Sequence, residues 1–545
     1  MSKRTAILGF VAWAVIWSPT ALFCQVPAVP RPVIDTIVVE RNNVFSREEA
    51  RSSVVFRVMN SLHVTTHPTV IRKELLFEQG EPYDSARIAE SERILRTRQI
   101  FRELTIDTTR IGDKFAVVIR TKDGWSTKPK FNLQVATDGT WTGTFGVNEI
   151  NLLGTGNQFY IAYAKEVDRD GLNLSADFRR LFGTSIDASG NYAGLSDGKN
   201  GNWIVGAPFR NYDTNVSLQY DGLAADQRIL RYRRDASAAL DTTVYKRTAA
   251  MHNVTAGLAE TAEPTRYLRL VATGGYRREE YVREELADSV IPDTVTGTVG
   301  FFAEWSRARF MRFRRFNGFG TEDVNLSTTI RVTGTLAPEA FGYPETGIGP
   351  GISASTTVLV GQAFIWGAVD ANWLVNETVP DSGRVVLNLA FGYKPHPRHA
   401  TMAQIQWGHL KNTAPGQEFD LGYDAPPRSW EPHSFVGTRE FWVSAEHRWF
   451  LWDALLNLFG VGVAAFFDYG GAWYEGQEPR YGGNIGIGLR MGSALSTVPT
   501  TGRVDLGYLV GPGVSGSRWV LTFGTGFTFP RRTTPVVSYK AQRPP

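Results

Sequence analysis

The sequence predicts a mainly β protein, a transmembrane antiparallel β-barrel that follows one small α+β domain. From about residue 128 to residue 529, short runs alternate apolar and polar residues and are broken by Gly, Asn and Asp, without a long helical pattern. Residues 31–124 differ because they contain helical patterns between predicted strands. After the apolar run Ala6–Trp17, no segment has the roughly 20 apolar residues of a membrane-spanning helix, so membrane insertion would have to use strands.

Residues 1–24 are predicted to be a secretory signal peptide. Lys3 and Arg4 precede the apolar run, which is followed by the segment SPTALFCQ. The one cysteine, Cys24, lies at this boundary, so cleavage there would leave the mature chain without thiol or disulfide chemistry. Lipidation of Cys24 is the alternative, although Phe23 occupies the position where a lipobox has a small residue.

The composition excludes several classes of protein. A mean hydropathy of -0.20 is too polar for a helical membrane protein. The 58 basic and 54 acidic residues are too balanced to predict nucleic-acid binding. No phosphate-binding loop, HExxH motif or cysteine pair occurs and the eight histidines are scattered, so no catalytic, cofactor or metal site is predicted. The 54 glycines and the 15 Trp, 19 Tyr and 32 Phe suit the turns and aromatic girdles of an outer-membrane barrel.

Residues 31–124 predict the order strand, helix, helix, strand, strand. Gly80 is expected to end the first helix, and Asp84 or Ser85 to cap the second. Residues 41–65 interrupt this order and predict an amphipathic turn or helix, which is either a contact surface or a local packing elaboration. The predicted elements are Val33–Glu40, Pro68–Phe77, Asp84–Ile100, Arg102–Thr109 and Lys114–Thr121.

The barrel strands are predicted from large side chains on one face and small or polar ones on the other. Leu387 and Leu389 are expected to meet lipid, and Asn388 and Ala390 to face a watery lumen. Five strands are expected near the C-terminus, at residues 438–450, 459–470, 482–492, 501–510 and 517–529. In the last strand the face expected to meet lipid carries Trp519, Leu521, Phe523, Phe527 and Phe529.

A long loop with one arginine, Arg428, near its tip runs into the first of these five strands. The strand alternates Phe441, Val443, Ala445 and Trp449 with Ser444, Glu446 and Arg448. In the next strand Phe467 and Asp468 must point to opposite faces, so Asp468 faces the lumen if Phe467 faces lipid. Arg428 is therefore either the partner of a lumen carboxylate or an ordinary solvated loop residue.

These segments resemble the BamA-like bacterial surface-antigen superfamily of outer-membrane barrels with periplasmic POTRA domains. Residues 70–106 resemble a POTRA domain closely, and the arginine loop, the charged strand and the sequence Phe467-Asp468-Tyr469-Gly470 resemble the family's barrel. The resemblance implies a POTRA domain at residues 31–124 and a barrel of about 16 strands at residues 128–529, with five strands after the loop. Residues 530–545 would then be a C-terminal tail.

The resemblance also implies a role for the loop. Arg428, Ser429 and Trp430 occupy the position of a family motif of aliphatic residue, Arg, Gly and aromatic residue, from which Pro427 and Ser429 depart. In the family this loop folds back into the barrel and its arginine pairs with acids on the inner wall. The inner-wall residues implied here are Asp468, Glu446 and Arg448.

The densest basic cluster lies at residues 307–316, where arginines are interleaved with phenylalanines. One interpretation is contact with lipopolysaccharide phosphates or with a passing chain, and the other is a hairpin with solvated arginines in the lumen or at its rim. The cluster comprises Arg307, Arg309, Arg312, Arg314 and Arg315, with Phe310, Phe313 and Phe316.

The leading functional hypothesis is a non-enzymatic outer-membrane factor that assembles or translocates polypeptides. Its POTRA domain would capture unfolded clients by β-augmentation, and an inward-folded loop would gate the barrel. The alternatives are a passive channel or binding protein with the loop as a fixed plug, and a barrel enzyme, which is disfavoured because no nucleophile, base and orienter can be assigned. The expected partners are the outer membrane, lipopolysaccharide, unfolded clients and periplasmic accessory proteins, but no nucleic acid.

Overall fold

A computed structural model describes residues 31–530, apart from residues 136–140, 212–213, 235–239, 264, 285–289, 377–378, 414–415, 423–424, 456–458, 494–500, 513, 515–516 and 526–528. The predicted signal peptide with Cys24, and the tail beyond Pro530, lie outside the described residues. Within the described part of the chain, no helix is long and apolar enough to cross a membrane.

The N-terminal domain packs four helices on a three-stranded sheet. Its strand order is β1-β3-β2, so β3 lies in the centre, parallel to β1 and antiparallel to β2. Asp84 caps α4 as predicted, by accepting hydrogen bonds from two backbone N–H groups. The elements are β1 Thr36–Asn42, α1 Arg47–Ser52, α2 Val54–Leu62, α3 Pro68–Arg72, α4 Ser85–Thr97, β2 Phe101–Ile111 and β3 Lys114–Asp123.

Two short helices, α1 and α2, form the segment inserted after β1. A capping box between Ser46 and Glu49 starts α1, and the ring of Phe45 stacks on Phe56 of α2 at 4.1 Å. The opposite face of α2 leaves Val54 and Leu62 exposed. The segment is thus helical and amphipathic, as predicted, and one of its apolar faces is used in local packing.

Twenty antiparallel strands close into a barrel, in which β27 lies beside β4. The expected number of about 16 is wrong, because fifteen strands rather than eleven precede the arginine loop, whereas the five predicted after it are all present. The barrel strands before the loop, with one small hairpin (β14, β15) among them, are β4 Thr127–Val135, β5 Trp141–Glu149, β6 Gln158–Lys165, β7 Asp170–Phe178, β8 Asp187–Leu195, β9 Gly198–Ala207, β10 Val216–Arg234, β11 Leu240–Glu263, β12 Arg266–Arg283, β13 Thr294–Arg307, β14 Phe310–Arg314, β15 Thr321–Asn325, β16 Thr328–Ala337, β17 Gly347–Val360, β18 Ala363–Asn376, β19 Val379–His396 and β20 His399–Lys411. A second small hairpin and the last five strands are β21 Phe419–Leu421, β22 Phe435–Gly437, β23 Arg439–Leu455, β24 Phe459–Trp473, β25 Gly482–Ser493, β26 Gly502–Val510 and β27 Trp519–Thr525.

Side chains alternate across the barrel wall as the sequence predicts. Leu387 and Leu389 are exposed on the outside, while Asn388 and Ala390 are buried inside. Phe529 is the exception, because it is buried although it was expected to meet lipid with Trp519 and Leu521. Phe529 lies beyond the last described residue of β27, Thr525, and its backbone is bound on the inside by the amide of Asn317.

The N-terminal domain contacts one end of the barrel, here called the domain end. His67 donates its backbone N–H to the carbonyl of Gly154 in the turn between β5 and β6, and Arg98 donates to the carbonyl of Gly156 at 3.0 Å. Because successive strands run antiparallel, the β13–β16 connection also lies at the domain end, and the long β20–β23 loop lies at the opposite, far end. The lumen therefore receives chain segments from both ends.

Candidate functional site

The β20–β23 connection, residues 412–438, folds into the barrel and is called the lumen loop. It is fixed near the far end by an apolar cluster formed by loop and wall residues. Beyond this cluster the tip descends until Arg428 and Ser429 are almost completely buried, at 0% and 1% exposure. The buried residues of the cluster are Leu421, Trp430, Phe435, Trp442, Ala472 and Leu509.

Arg428 binds the carboxylate of Asp468 in a two-pronged ion pair. Its Nε and Nη2 donate to the two carboxylate oxygens at 2.7 and 2.9 Å, and its backbone N–H donates to the same group at 3.1 Å. Its Nη1 donates to Glu446 at 2.5 Å and Nη2 also donates to Ser444 at 3.1 Å. The guanidinium lies 4.4 Å from the ring centre of Phe466. The implied pairing of Arg428 with Asp468 and Glu446 is therefore present in the structure.

Burial and charge act in opposite directions on Arg428. Removal from water alone would lower its pKa, but the negative charges of Asp468 and Glu446 outweigh this effect and raise the pKa. The guanidinium is therefore charged at every physiological pH. Because the pair is fully desolvated, removing one partner would leave a buried uncompensated charge, which typically costs about 3 to 5 kcal/mol.

The ion pair is part of a larger group of seven residues, here called the buried ion-pair network. Glu446 also accepts from Arg448 at 2.5 Å and from Arg490 at 2.9 Å. Arg490 donates in turn to Asp505 at 2.5 Å, which also accepts from Arg503 at 3.0 Å. The network contains four guanidinium groups against three carboxylates: Arg428, Arg448, Arg490, Arg503, Glu446, Asp468 and Asp505.

Three network members, Arg490, Arg503 and Asp505, are absent from the sequence prediction. A signal was present, because each charge lies between apolar residues that face outward, such as Leu489 and Met491 around Arg490. Alternation alone assigns such a residue to the lumen. It does not specify the strand register, which decides which lumen charges meet.

Ser429 and Trp430 pack against wall positions that have no side chain. A Cβ atom at Gly507 would lie 2.2 Å from the Ser429 hydroxyl, and one at Gly482 would lie 2.4 Å from the Trp430 ring. The indole N–H of Trp430 donates to the carbonyl of Gly483 at 3.0 Å. Ser429 does not adopt a positive φ, so serine in place of the family's glycine fits this turn.

His433 attaches the lumen loop to the far-end rim. Its Nδ1 lies 2.6 Å from Asp420 of the loop, and its Nε2 lies 3.3 Å from Asp168 in the β6–β7 turn. Its ring stacks on Tyr232 of β10 at 4.0 Å. Burial would lower the pKa of His433, but the hydrogen bonds to Asp168 and Asp420 outweigh burial and raise it to about 9.

The junction between the first and last strands has the fewest paired residues of the barrel wall within the described ranges. There β27 and β4 share one residue pair, Thr522 with Gln134, whereas β26 and β27 are paired from Gly502 to Tyr508. Arg503 of the buried ion-pair network donates to the Thr522 hydroxyl at 3.2 Å. The network therefore reaches the last strand, at the seam.

A serine, a histidine and an aspartate are aligned where the domain joins the barrel. The Ser126 hydroxyl lies 3.4 Å from His63 Nδ1, and His63 Nε2 lies 3.0 Å from Asp123. The spacing in the sequence does not reveal this arrangement, because His63 lies 60 residues from Asp123 and 63 residues from Ser126. All three residues are buried, and Asp123 also accepts from Thr66, whose hydroxyl accepts from Asn151 of the barrel at 2.9 Å. The arrangement therefore serves as a polar joint between the domain and the barrel.

The arginines of residues 307–315 lie at the domain end, where β14 forms one strand of a hairpin, as one interpretation predicted. Arg315 pairs with Asp453 of β23, and Arg312 donates to Glu92 of α4 at 3.2 Å. Both charges are thus used within the chain, which leaves the lipopolysaccharide interpretation without support from these two residues. Among the described residues, no group of three or more His, Cys, Asp and Glu side chains is placed to hold a metal ion.

No protein-family model matches the chain, and no curated protein matches it. Solved structures do match over most of its length. BamA from Haemophilus ducreyi lacking POTRA domains 1-3 is 12% identical with a TM-score of 0.40, covering 91% of this chain and 84% of that chain. CdiB from Escherichia coli is 11% identical with a TM-score of 0.46, covering 93% and 92%. CdiB from Acinetobacter baumannii is 10% identical with a TM-score of 0.44, covering 91% and 74%. BamA is thus among the solved structures that match this chain.

Proposed function

We propose that this chain is an outer-membrane barrel that assembles or translocates polypeptides without enzymatic chemistry. The observation that carries the proposal is the lumen loop, which folds into the barrel and is held by the fully buried pair of Arg428 and Asp468. A loop held by ion pairs inside a lumen suits a barrel that opens during its work, as does a seam with one residue pair in its described part.

The N-terminal domain is proposed to be a POTRA domain on the periplasmic side, where it would capture clients. The sheet order β1-β3-β2 leaves β1 and β2 each with one strand neighbour among the described residues. An unpaired strand edge can accept an extended client segment through backbone hydrogen bonds. Periplasmic accessory proteins and lipopolysaccharide remain predicted partners.

Depletion of the chain from its host tests this proposal. Outer-membrane proteins or secreted polypeptides should lose abundance or fail to fold when the chain is removed, and the wild-type chain should restore them. Complementation with Arg428→Ala should fail. The matched control is Arg331→Ala, which removes a lumen arginine that pairs with Glu304 away from the loop. Normal levels and folding of outer-membrane and secreted proteins after depletion would contradict the assembly function.

The second candidate is a passive channel or binding protein with the loop as a fixed plug. The complete burial of Arg428 favours it, because a desolvated ion pair holds the loop firmly. Ion conductance of the purified protein in planar bilayers distinguishes the two. A fixed plug predicts a constant conductance during client addition, whereas an opening barrel predicts conductance changes when an unfolded client is added.

A further inference from the structure

The β13–β16 connection enters the lumen from the domain end as a hairpin. Its strands β14 and β15 are joined by residues 315–320, and we call β14, β15 and this turn the lumen hairpin. At the tip, Phe316 is 0% exposed and packs with Phe364 of the wall, 5.6 Å away between ring centres. The tip belongs to the apolar cluster that also buries Phe450 and Phe529.

A carboxylate fixes the conformation of this tip. Glu322 of β15 accepts the backbone N–H groups of Phe316 at 3.2 Å and Asn317 at 2.6 Å. The same carboxylate accepts the Asn317 side-chain amide at 3.0 Å. Asn317 is 6% exposed, so its amide is held in one orientation inside the lumen. The turn is therefore a preorganised polar site within an apolar cluster.

Asn317 uses its amide to hold Phe529, which lies in the chain beyond β27. The backbone N–H of Phe529 donates to Asn317 Oδ1 at 2.7 Å, and Asn317 Nδ2 donates to the carbonyl of Phe529 at 3.0 Å. Together these bonds reproduce the donor and acceptor pair that a neighbouring strand would offer to one residue. The Phe529 ring is buried at 5% exposure in the cluster. Backbone and side chain of the same residue are thus both bound.

The hairpin is attached to two other parts of the molecule. Near its base, Asp323 accepts from Arg96 of α4 at 2.8 Å, and the Arg93 guanidinium lies 4.3 Å from the ring centre of Phe310. At its tip, the carbonyl of Asn317 accepts from Arg448 of the buried ion-pair network at 2.8 Å. One hairpin therefore contacts the N-terminal domain, the network and the end of β27.

We propose that the tip of the lumen hairpin is a binding site for the aromatic end of a β-strand, and that by holding Phe529 it latches the seam between β27 and β4 shut. The seam gains from such a latch because, among the described residues, its strands share one residue pair. An unlatched strand end would present unpaired backbone groups that cost free energy when kept from water. Displacement of α4, through Arg96 and Asp323, would withdraw the hairpin and release Phe529.

Disulfide trapping across the seam tests the latch on the full-length protein. Cysteines placed at Gln134 and Thr522, which are Cα partners across the seam, should cross-link readily when Asn317 is intact. Asn317→Leu keeps the volume but removes both bonds to Phe529, so we expect roughly a tenfold rise in the ratio of open to closed seam. The cross-linking rate should fall in proportion to the closed fraction. Asn388→Leu is the matched control, because it changes another buried lumen asparagine, one that is bonded to Gln404.

Two further variants keep the test decisive. Phe529→Ala removes the ring but leaves the backbone. Arg96→Ala removes the hydrogen bond from α4 to Asp323 of the hairpin. Both variants should slow cross-linking, as Asn317→Leu does. Cross-linking of folded Asn317→Leu and Phe529→Ala at the wild-type rate would overturn the latch, and a wild-type rate for Arg96→Ala alone would overturn the link to α4. The cross-linking assay needs no client. The latch can therefore be rejected while the assembly function is retained, and the assembly function can be rejected while the latch is retained.

Discussion

The two segments that enter the lumen hold their positions by different physical means. The lumen loop comes from the far end and depends on charge, since Arg428 is surrounded by Asp468, Glu446 and Ser444 at 0 to 2% exposure. The lumen hairpin comes from the domain end and depends on apolar packing around Phe316, with the neutral amide of Asn317 providing direction. The attachment of the lumen loop is therefore sensitive to the loss of a single charged group. The attachment of the lumen hairpin is spread over many apolar contacts.

The two segments meet at Arg448. Its Nε donates to Glu446, which also binds Arg428 of the loop, while its Nη1 donates to Asn317 of the hairpin. A chain of hydrogen bonds therefore runs from the far-end loop to the domain-end hairpin through one side chain. Through this contact, a change in either segment can alter the free energy with which the other segment is held in the lumen.

The largest effect is expected from Arg428→Ala. Asp468 would remain buried without its ion-pair partner, so the closed loop should lose about 3 to 5 kcal/mol. Protease cleavage within the lumen loop of the folded protein measures this loss. The hairpin should stay protected, because Phe316 does not depend on that charge. Equal sensitivity of loop and hairpin would remove the proposed difference between them, and Arg331→Ala provides the background rate.

An opposite pattern of similar size is expected for Phe316→Ala. Truncation of a fully buried phenylalanine typically costs about 3 to 5 kcal/mol, but the hairpin can retain the Glu322 hydrogen bonds that shape its turn. Protease sensitivity should therefore rise at the hairpin and not at the lumen loop. The exposed Phe182, at 96% exposure, supplies a control phenylalanine whose replacement by alanine should change neither segment.

The bridge through Arg448 predicts a measurable coupling of moderate size. In a double-mutant cycle of Arg428→Ala and Asn317→Leu, we expect the changes in the free energy of opening of the lumen loop to deviate from additivity by about 0.5 to 3 kcal/mol. The same cycle in an Arg448→Met background should be additive, since methionine keeps much of the volume but cannot donate to Glu446 or Asn317. Nonadditivity that persists without Arg448 would show that the coupling takes another route.

Sequence alone predicts the far-end segment better than the domain-end one. The pairing of Arg428 with Asp468 and Glu446 could be predicted for two reasons. Alternation assigns each strand residue to a face of the barrel wall, and the resemblance implies the position of the loop. The hairpin was visible only as a basic cluster with phenylalanines at residues 307–316. Nothing in that pattern shows that Phe316 packs in the lumen or that Asn317 binds a residue 212 positions away.

The predicted number of strands and the predicted position of Phe529 are both wrong, and the reasons are related. Alternation identifies a strand but not the closure of a barrel, which depends on how many strands pair around the ring. Fifteen strands before the loop are as compatible with the sequence as eleven. Alternation also cannot show a contact with a distant residue, and the buried position of Phe529 goes with its bonds to Asn317 and not with its place in the run after Trp519.

The smallest effect is expected at His433, which adds a pH-dependent attachment to the loop alone. Its folded pKa of about 9 lies above the ordinary value of 6.5, so its contribution is complete below about pH 6.5 and is lost as the pH rises through about 9. Above that pH the neutral ring loses its ionic attraction to Asp168 and Asp420. Protease sensitivity of the lumen loop should increase over this window while that of the hairpin does not.

His433→Gln isolates this contribution, because glutamine retains a hydrogen-bonding amide but carries no charge at any pH. The ratio of loop cleavage between wild type and His433→Gln, measured at each pH, cancels the pH dependence of the protease. The ratio should be below one at pH 6.5 and should approach one at pH 10. A constant ratio would mean that Asp168 and Asp420 do not hold the loop by charge, and the far-end segment would then depend on the buried ion-pair network alone.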